Sequence, residues 1–400
     1  MTARALNSWP QSIVDKIETL SARQDALRAE TQLAQTREAL TRSRLGEALI
    51  VALVARAKAE AEARSVAGRA YRATGLARAT PDRRNRLRRL VERLQDRRGP
   101  KGQATILAAS GLWAGAGGAS DLADMEAYAA RGADPAAQPP AFFDQAWYLD
   151  RYPDVAASGQ SPLVHYLLRG GLEGRVPHPL FDHGPYLGQH APEMGALGLT
   201  ALEHFIRLGG PRGAAIHPLF QLDHYLIQAP ELFETGEIPF LHYLREGAAR
   251  GLNPHPLFLT DYYCAQAGLE PGDEPLLHYL TQGSAAGLRP HPLFDPAWYR
   301  DAYPDVPAAG LDPLVHFVLD RGEGGFSPGP WLDARTYFAR RGSDRLPGLD
   351  ALSDYLQGGA WTVGEPSPGF QAAAYLAAHP ELATEGLTPL ERWARLGVAS

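Results

Sequence analysis

The sequence predicts an all-α protein: a helical-repeat solenoid with a period of about 38 residues, preceded by an N-terminal helical region with a coiled-coil pattern. Three observations carry this expectation. A His-Pro-Leu-Phe phrase recurs in "VPHPLFDHGPYL" from Val176, "IHPLFQLDHYL" from Ile216, "PHPLFLTDYYC" from Pro254 and "PHPLFDPAWYR" from Pro290. The stretch after each phrase is punctuated by residues that start and stop short helices. Charge then separates the two regions. Residues 1–100 hold 21 Lys and Arg against 11 Asp and Glu, or +10, which leaves 18 against 34, or −16, for residues 101–400. The expected division is a basic helical head, residues 1–103, and a repeat array, residues 104–400, of one truncated and seven full repeats.

In the head, Ile13, Ile17, Leu20 and Leu27 fall on a coiled-coil seam that loses its heptad after Leu27, so a weak homodimer through these helices is expected. "TPDRRNRLRRLVERLQDRR", from Thr80, reads as a capped amphipathic helix with Leu87, Leu90, Val91 and Leu94 on one face. Its arginines, Arg83, Arg84, Arg86, Arg88, Arg89 and Arg93, form the candidate surface for an anionic partner. An anionic membrane surface has that chemistry, nucleic acid is not expected, and a docked or solvated structural helix is the plainer reading.

The full repeats open at Phe143, Phe181, Phe220, Phe258, Phe294, Trp331 and Phe370, with steps of 38, 39, 38, 36, 37 and 39 residues. Tyr follows the opening residue by five positions, except that Tyr337 follows Trp331 by six. Asp144 is the expected N-cap of a first short helix and Pro153 its stop, with Pro230, Pro304 and Pro380 at the same offset elsewhere. A second helix should run from the N-cap Ser161 and Pro162 to Gly170 as its C′ residue. "LADMEAYAARG" places Tyr128 and Gly132 where a truncated first copy would carry them. Helices this short rarely persist in water alone, so each is expected to lean on its neighbours, with the Leu-Phe corner plugged into the next unit.

A 45% hydrophobic and 21% charged composition points to a soluble globular chain rather than a disordered or fibrous one. The single Cys264 excludes an intramolecular disulfide and fits a reducing compartment. The N-terminal "MTARALNSWPQSIVDKIETL" shows no apolar signal core, so a cytoplasmic location is expected, with the inner-membrane periphery as the alternative.

All 13 His lie in the repeats. His165, His204, His242, His278 and His316 occupy one repeat position, taken later by Asp354 and Arg392. Packed helices sit about 8–10 Å apart while zinc ligands lie about 2.1 Å from the ion, so successive copies cannot share one ion. The ladder is therefore read as packing, each imidazole satisfying the backbone of an adjacent turn. A second set, His178, His217, His255 and His291, is placed within reach of a ladder His of its own repeat. No catalytic residue, cofactor or metal site is expected. Trp147 and Trp298 are the candidate ligand-stacking residues, because other repeats carry Pro185, His224, Tyr262 or Ala374 at that position.

"FDQAWYLDRYPDVAASGQSPLVHYLLRGGLEGRVPHPLFD", residues 143–182, and "FDPAWYRDAYPDVPAAGLDPLVHFVLDRGEGG", from Phe294, resemble a repeat of bacterial proteins of cell-surface polysaccharide biosynthesis, mostly large glycosyltransferases. The resemblance covers residues 104–398. It implies helical repeats that accompany glycosyltransferase domains without an activity of their own. The chain departs from those proteins in showing no Asp-x-Asp nucleotide-sugar motif, no Walker A loop and no Gly-rich Rossmann start. The expected function is thus a non-catalytic interaction or scaffold module for a protein or glycan partner. The alternative is the accessory region of a glycosyltransferase whose catalytic domain is absent or separate.

Overall fold

The computed structural model describes residues 47–75, 99–113 and 122–397 except 271, 364, 368 and 383–386, together with the helical residues 28, 31, 32 and 35. The chain is mostly helical, and among the described residues no strand forms, only isolated bridges such as His255–Phe258 and His291–Phe294. No helix among them is long and apolar enough to cross a membrane. The Ile13, Ile17, Leu20 and Leu27 seam and the six arginines from Arg83 to Arg93 lie outside the described residues.

The His-Pro-Leu-Phe phrase is a tight turn. Phe181 N–H donates to the His178 carbonyl at 2.9 Å, and Phe220, Phe258 and Phe294 repeat this bond to His217, His255 and His291. Pro fits the second position of such a turn because its φ is already set. The residue after the Phe then donates to the next corner: Asp144 N–H to the Pro177 carbonyl, Asp182 to Ile216, Gln221 to Pro254, Leu259 to Pro290 and Asp295 to Pro328, at 2.8–3.2 Å. These bonds tie each unit to the following one through backbone alone. Leu180, Leu219, Leu257 and Leu293 are buried beside them.

The sixth unit corrects the sequence register. Its corner bridge joins Gly329 to Leu332, matching His291–Phe294. Leu332, fully buried, is therefore its opening residue, and Trp331 stands one position earlier beneath the Arg289 guanidinium, 4.5 Å away. Tyr337 is then five residues after the opening residue, as in every other unit.

Asp144 caps the first helix, Gln145–Arg151, through Trp147 N–H as expected. Pro153 both ends that helix and begins another, Pro153–Ser158. In the second unit a single helix, His183–Leu197, runs through, with Pro192 inside it. Ser161 makes no side-chain cap. Thr200 does, in a reciprocal capping box with Glu203.

The second helices end differently from the expectation. Pro162–His165 passes into a π-turn, Tyr166–Gly170, and the same widening occurs at Phe205–Gly209, Tyr243–Gly247, Tyr279–Gly283 and Tyr355–Gly359. Gly170 is not left-handed; that conformation falls four residues later, at Gly174, and likewise at Gly213, Gly251 and Gly287. Gly170 is required instead because the Tyr148 phenol lies where a Cβ would project. The fifth unit has Arg321 at this place, remains α-helical over Pro313–Asp320, and holds Arg321 at φ 53°, the non-glycine positive φ of the described chain.

Units three apart in sequence touch. Phe142, at the corner before the first full unit, packs edge-on to Phe240 of the third, with ring centroids 5.4 Å apart. Arg395 of the seventh lies 5.4 Å over the Tyr262 ring of the fourth. The main core cluster among the described residues accordingly runs from Tyr71 to Ala394. The helix over residues 47–75 joins it: Tyr71 is buried, donates its phenol to the Glu237 carbonyl at 3.0 Å and packs against Phe233. Leu53 meets Leu376 and Leu382 at the other end of the same helix. Helix Pro100–Ser110 runs through residue 103.

Candidate functional site

Most of the recurring polar side chains are consumed by the fold. Each corner His turns its Nδ1 onto the N–H two residues ahead: Leu180, Leu219, Leu257 and Leu293 all donate to it at 3.1 Å. An accepting Nδ1 places the neutral ring's proton on Nε2. Burial lowers His178 and His255 to about 3 and His217 to about 4, which keeps these rings neutral. They serve their own turn and do not bond the ladder His of their repeat.

The ladder His takes a phenol, not the backbone expected from the sequence. Tyr186 hydroxyl pairs with His204 Nδ1 at 2.7 Å, Tyr225 with His242 at 2.7 Å, Tyr263 with His278 at 2.6 Å, Tyr299 with His316 at 2.8 Å and Tyr148 with His165 at 3.2 Å. These phenols are buried, and burial pushes their acidity further from neutrality, Tyr148 and Tyr186 included. A second Tyr series braces the next unit by accepting a helix-start N–H, as Tyr166 does from Leu202 at 3.2 Å and Tyr355 from Leu390 at 3.2 Å. Tyr128 accepts from Leu163 at 3.4 Å in the same way, so the truncated copy works as a unit's second half.

Where the ladder departs from His, charge is compensated locally. Asp354 accepts from the Tyr337 phenol and pairs with Arg341 Nε at 2.9 Å, both side chains buried. Arg392 pairs instead with Glu381, which also meets His379 at 3.2 Å.

A cavity of about 660 Å³ lies between the first corner and the third and fourth units. Phe142, Asp144, Glu237, Arg245, Glu274 and Leu277 line it. Arg245 and Glu237 form an ion pair at 2.8 Å. Burial, and then the Asp144 charge, raise the Glu274 carboxyl above its ordinary range. Sequence reading missed this groove because Asp144 and Glu274 lie 130 positions apart and meet only through the contact between units three apart.

Trp147 and Trp298 stand on separate units, both partly buried. Arg151 lies 5.4 Å over the Trp147 ring. Trp298 packs on the core and meets Tyr303 edge-on at 6.0 Å. Trp147 is thus the less committed of the two to packing.

Among the described residues, two groups bring possible ligand atoms for a metal ion together, His190 with Glu193 and His204, and Glu231 with His242 and Glu246. Each group joins a ladder His to a carboxylate that follows a Pro, Glu193 or Glu231, at a place where other units carry Asp154, Asp305 and Glu381. No family model, curated protein or solved structure matches the chain.

Proposed function

We propose that the chain is a non-catalytic scaffold, a tightly wound helical solenoid of about 38-residue units that binds a glycan in bacterial cell-surface polysaccharide assembly. The winding is supported by the meeting of units three apart, as in Phe142 with Phe240 and Tyr262 with Arg395. The observation that carries the binding role is the groove. It sets an apolar floor, Phe142 and Leu277, beside planar polar groups, Asp144, Glu237, Arg245 and Glu274, on a rigid wall built from distant units. Sugars are held in this manner, with apolar ring faces on hydrophobic surface and hydroxyls on carboxylates and guanidinium. Three carboxylates against one Arg favour a neutral oligosaccharide over an anionic one. The repeat resemblance supplies the polysaccharide context. The polar side chains that recur with the repeat are engaged in turns and Tyr–His pairs, which supports a scaffold over a catalyst.

Calorimetric titration of the full chain with neutral oligosaccharides released from the native cell surface tests the reading. Binding should be saturable and weaken at least tenfold in Glu274→Ala. Absence of binding, or turnover of a nucleotide-sugar donor by the purified chain, would overturn the proposal.

A further inference from the structure

We propose that His190, Glu193 and His204 form a binding site for one divalent transition-metal ion of the zinc class. The helix His183–Leu197 carries His190 and Glu193 one turn apart, on the same face. His204, in the next short helix, points its Nε2 at Glu193 Oε2, 3.1 Å away. One ligand atom from each of the three residues lies within 4.8 Å of the others. Three donors of a tetrahedral zinc ion stand about 3.3 Å apart, so the His204–Glu193 pair is already at that spacing and His190 needs only a small side-chain rotation.

The ring nitrogens themselves point to a ligand. Among the described residues, His190 Nε2 is buried and meets no hydrogen-bond partner. Such a nitrogen costs free energy unless something occupies it. His190 and His204 face one another with ring centroids 5.1 Å apart. The other nitrogen of His204 is fixed by the Tyr186 phenol, the kind of outer contact that orients a ligating imidazole.

Arg212 Nη1 contacts Glu193 Oε1 at 2.9 Å and Oε2 at 3.1 Å, so an ion on Oε2 would leave Oε1 to the guanidinium. Glu193 is partly exposed, which gives an ion a path in and water as a fourth ligand. Two imidazoles and one carboxylate favour zinc-class ions over calcium or magnesium. The Glu231, His242 and Glu246 group has only one imidazole.

At the place of His190 the first, third, fourth, fifth and sixth units carry Tyr152, Ala229, Ala267, Tyr303 and Arg341, and the seventh carries His379 but has Arg392 in place of the ladder His, so the second unit is the one that joins both imidazoles. Zinc here neither requires nor implies a glycan in the groove.

The test uses the full chain, stripped with a chelator and titrated with zinc against a chromophoric competitor, and separately with cobalt(II). One zinc per chain and the visible bands of a tetrahedral cobalt site are expected. His190→Ala should lower zinc affinity at least tenfold and abolish the cobalt bands, while His379→Ala, in another unit, should change neither. His190→Ala leaves the Tyr186–His204 pair in place, and Glu193→Gln provides a second variant should it fail to fold. Unchanged zinc affinity in the folded variant, or no tetrahedral cobalt spectrum from the wild-type chain, would overturn the site.

Discussion

His291 Nε2 lies 3.2 Å from Glu391 Oε1, a pair of nearly inaccessible side chains that joins the corner after the fourth unit to the last helix. His291 Nδ1 is already occupied by Leu293 N–H, so its remaining nitrogen is the one that faces Glu391. Glu391 also closes a cap with Thr388. Burial alone would raise this carboxyl, but the hydrogen bond and charge of His291 with the Thr388 contacts hold it below its ordinary range.

Glu391→Ala should therefore destabilise the protein by about 3–5 kcal/mol, since it strands one partner of a buried pair. Urea unfolding monitored by circular dichroism measures this. Deletion of residues 331–400 should likewise destabilise the fourth unit, whose Tyr262 and His291 would lose Arg395 and Glu391. A truncated protein as stable as the parent would contradict the closure.

Acid should weaken the fold well before the carboxylates titrate. His178, His217 and His255 have folded values of about 3, 4 and 3 against an ordinary 6.5. Unfolding raises each toward 6.5, so the unfolded chain binds more protons below that pH. Their stability contribution is full above pH 6.5 and declines as pH falls toward 4, by about 2 kcal/mol per histidine at pH 5. The physical event is loss of the Nδ1 acceptor for the Leu N–H. Denaturant midpoints measured from pH 7.5 to 5 should fall steadily; a flat profile would exclude this role for the corner histidines.

The Tyr–Gly contact predicts a specific non-additivity. The Tyr225 phenol fills the place a Cβ would take at Gly247 while bonding His242. Gly247→Ala should cost about 2 kcal/mol or more through overpacking. In a Tyr225→Phe background, with the hydroxyl gone, the same change should cost at least about 1 kcal/mol less. Equal costs in both backgrounds, from a double-mutant cycle of chemical denaturation, would show the glycine serves something else.

Tyr71 predicts that the helix over residues 47–75 is integral to the repeat fold. Its ring is buried against Phe233, and Arg72 pairs with Asp223 at 2.9 Å one residue on. Tyr71→Ala should cost about 3–5 kcal/mol. Hydrogen exchange should then quicken at the third unit, around residues 222–243, before it does elsewhere.

The sequence by itself determined the helical class and the corner turns. Those follow from local chemistry: Pro sets a backbone angle, Asp144 caps its own helix, and the Leu-Phe pair must be buried wherever it occurs. Local reading went wrong where two residues of similar character competed. Trp331 looked like an opening aromatic until the Gly329–Leu332 bridge assigned that place to Leu332, and Gly170 looked like a left-handed cap until the Tyr148 phenol explained it. Only the tertiary structure decided which imidazole meets which partner, that Asp144 shares a groove with Glu274, and that His190 lies against His204. The reason is geometric. Local chemistry sets each residue's place in its own stretch of chain, whereas contacts between residues more than a hundred positions apart depend on how many stretches pack together, which no single residue encodes.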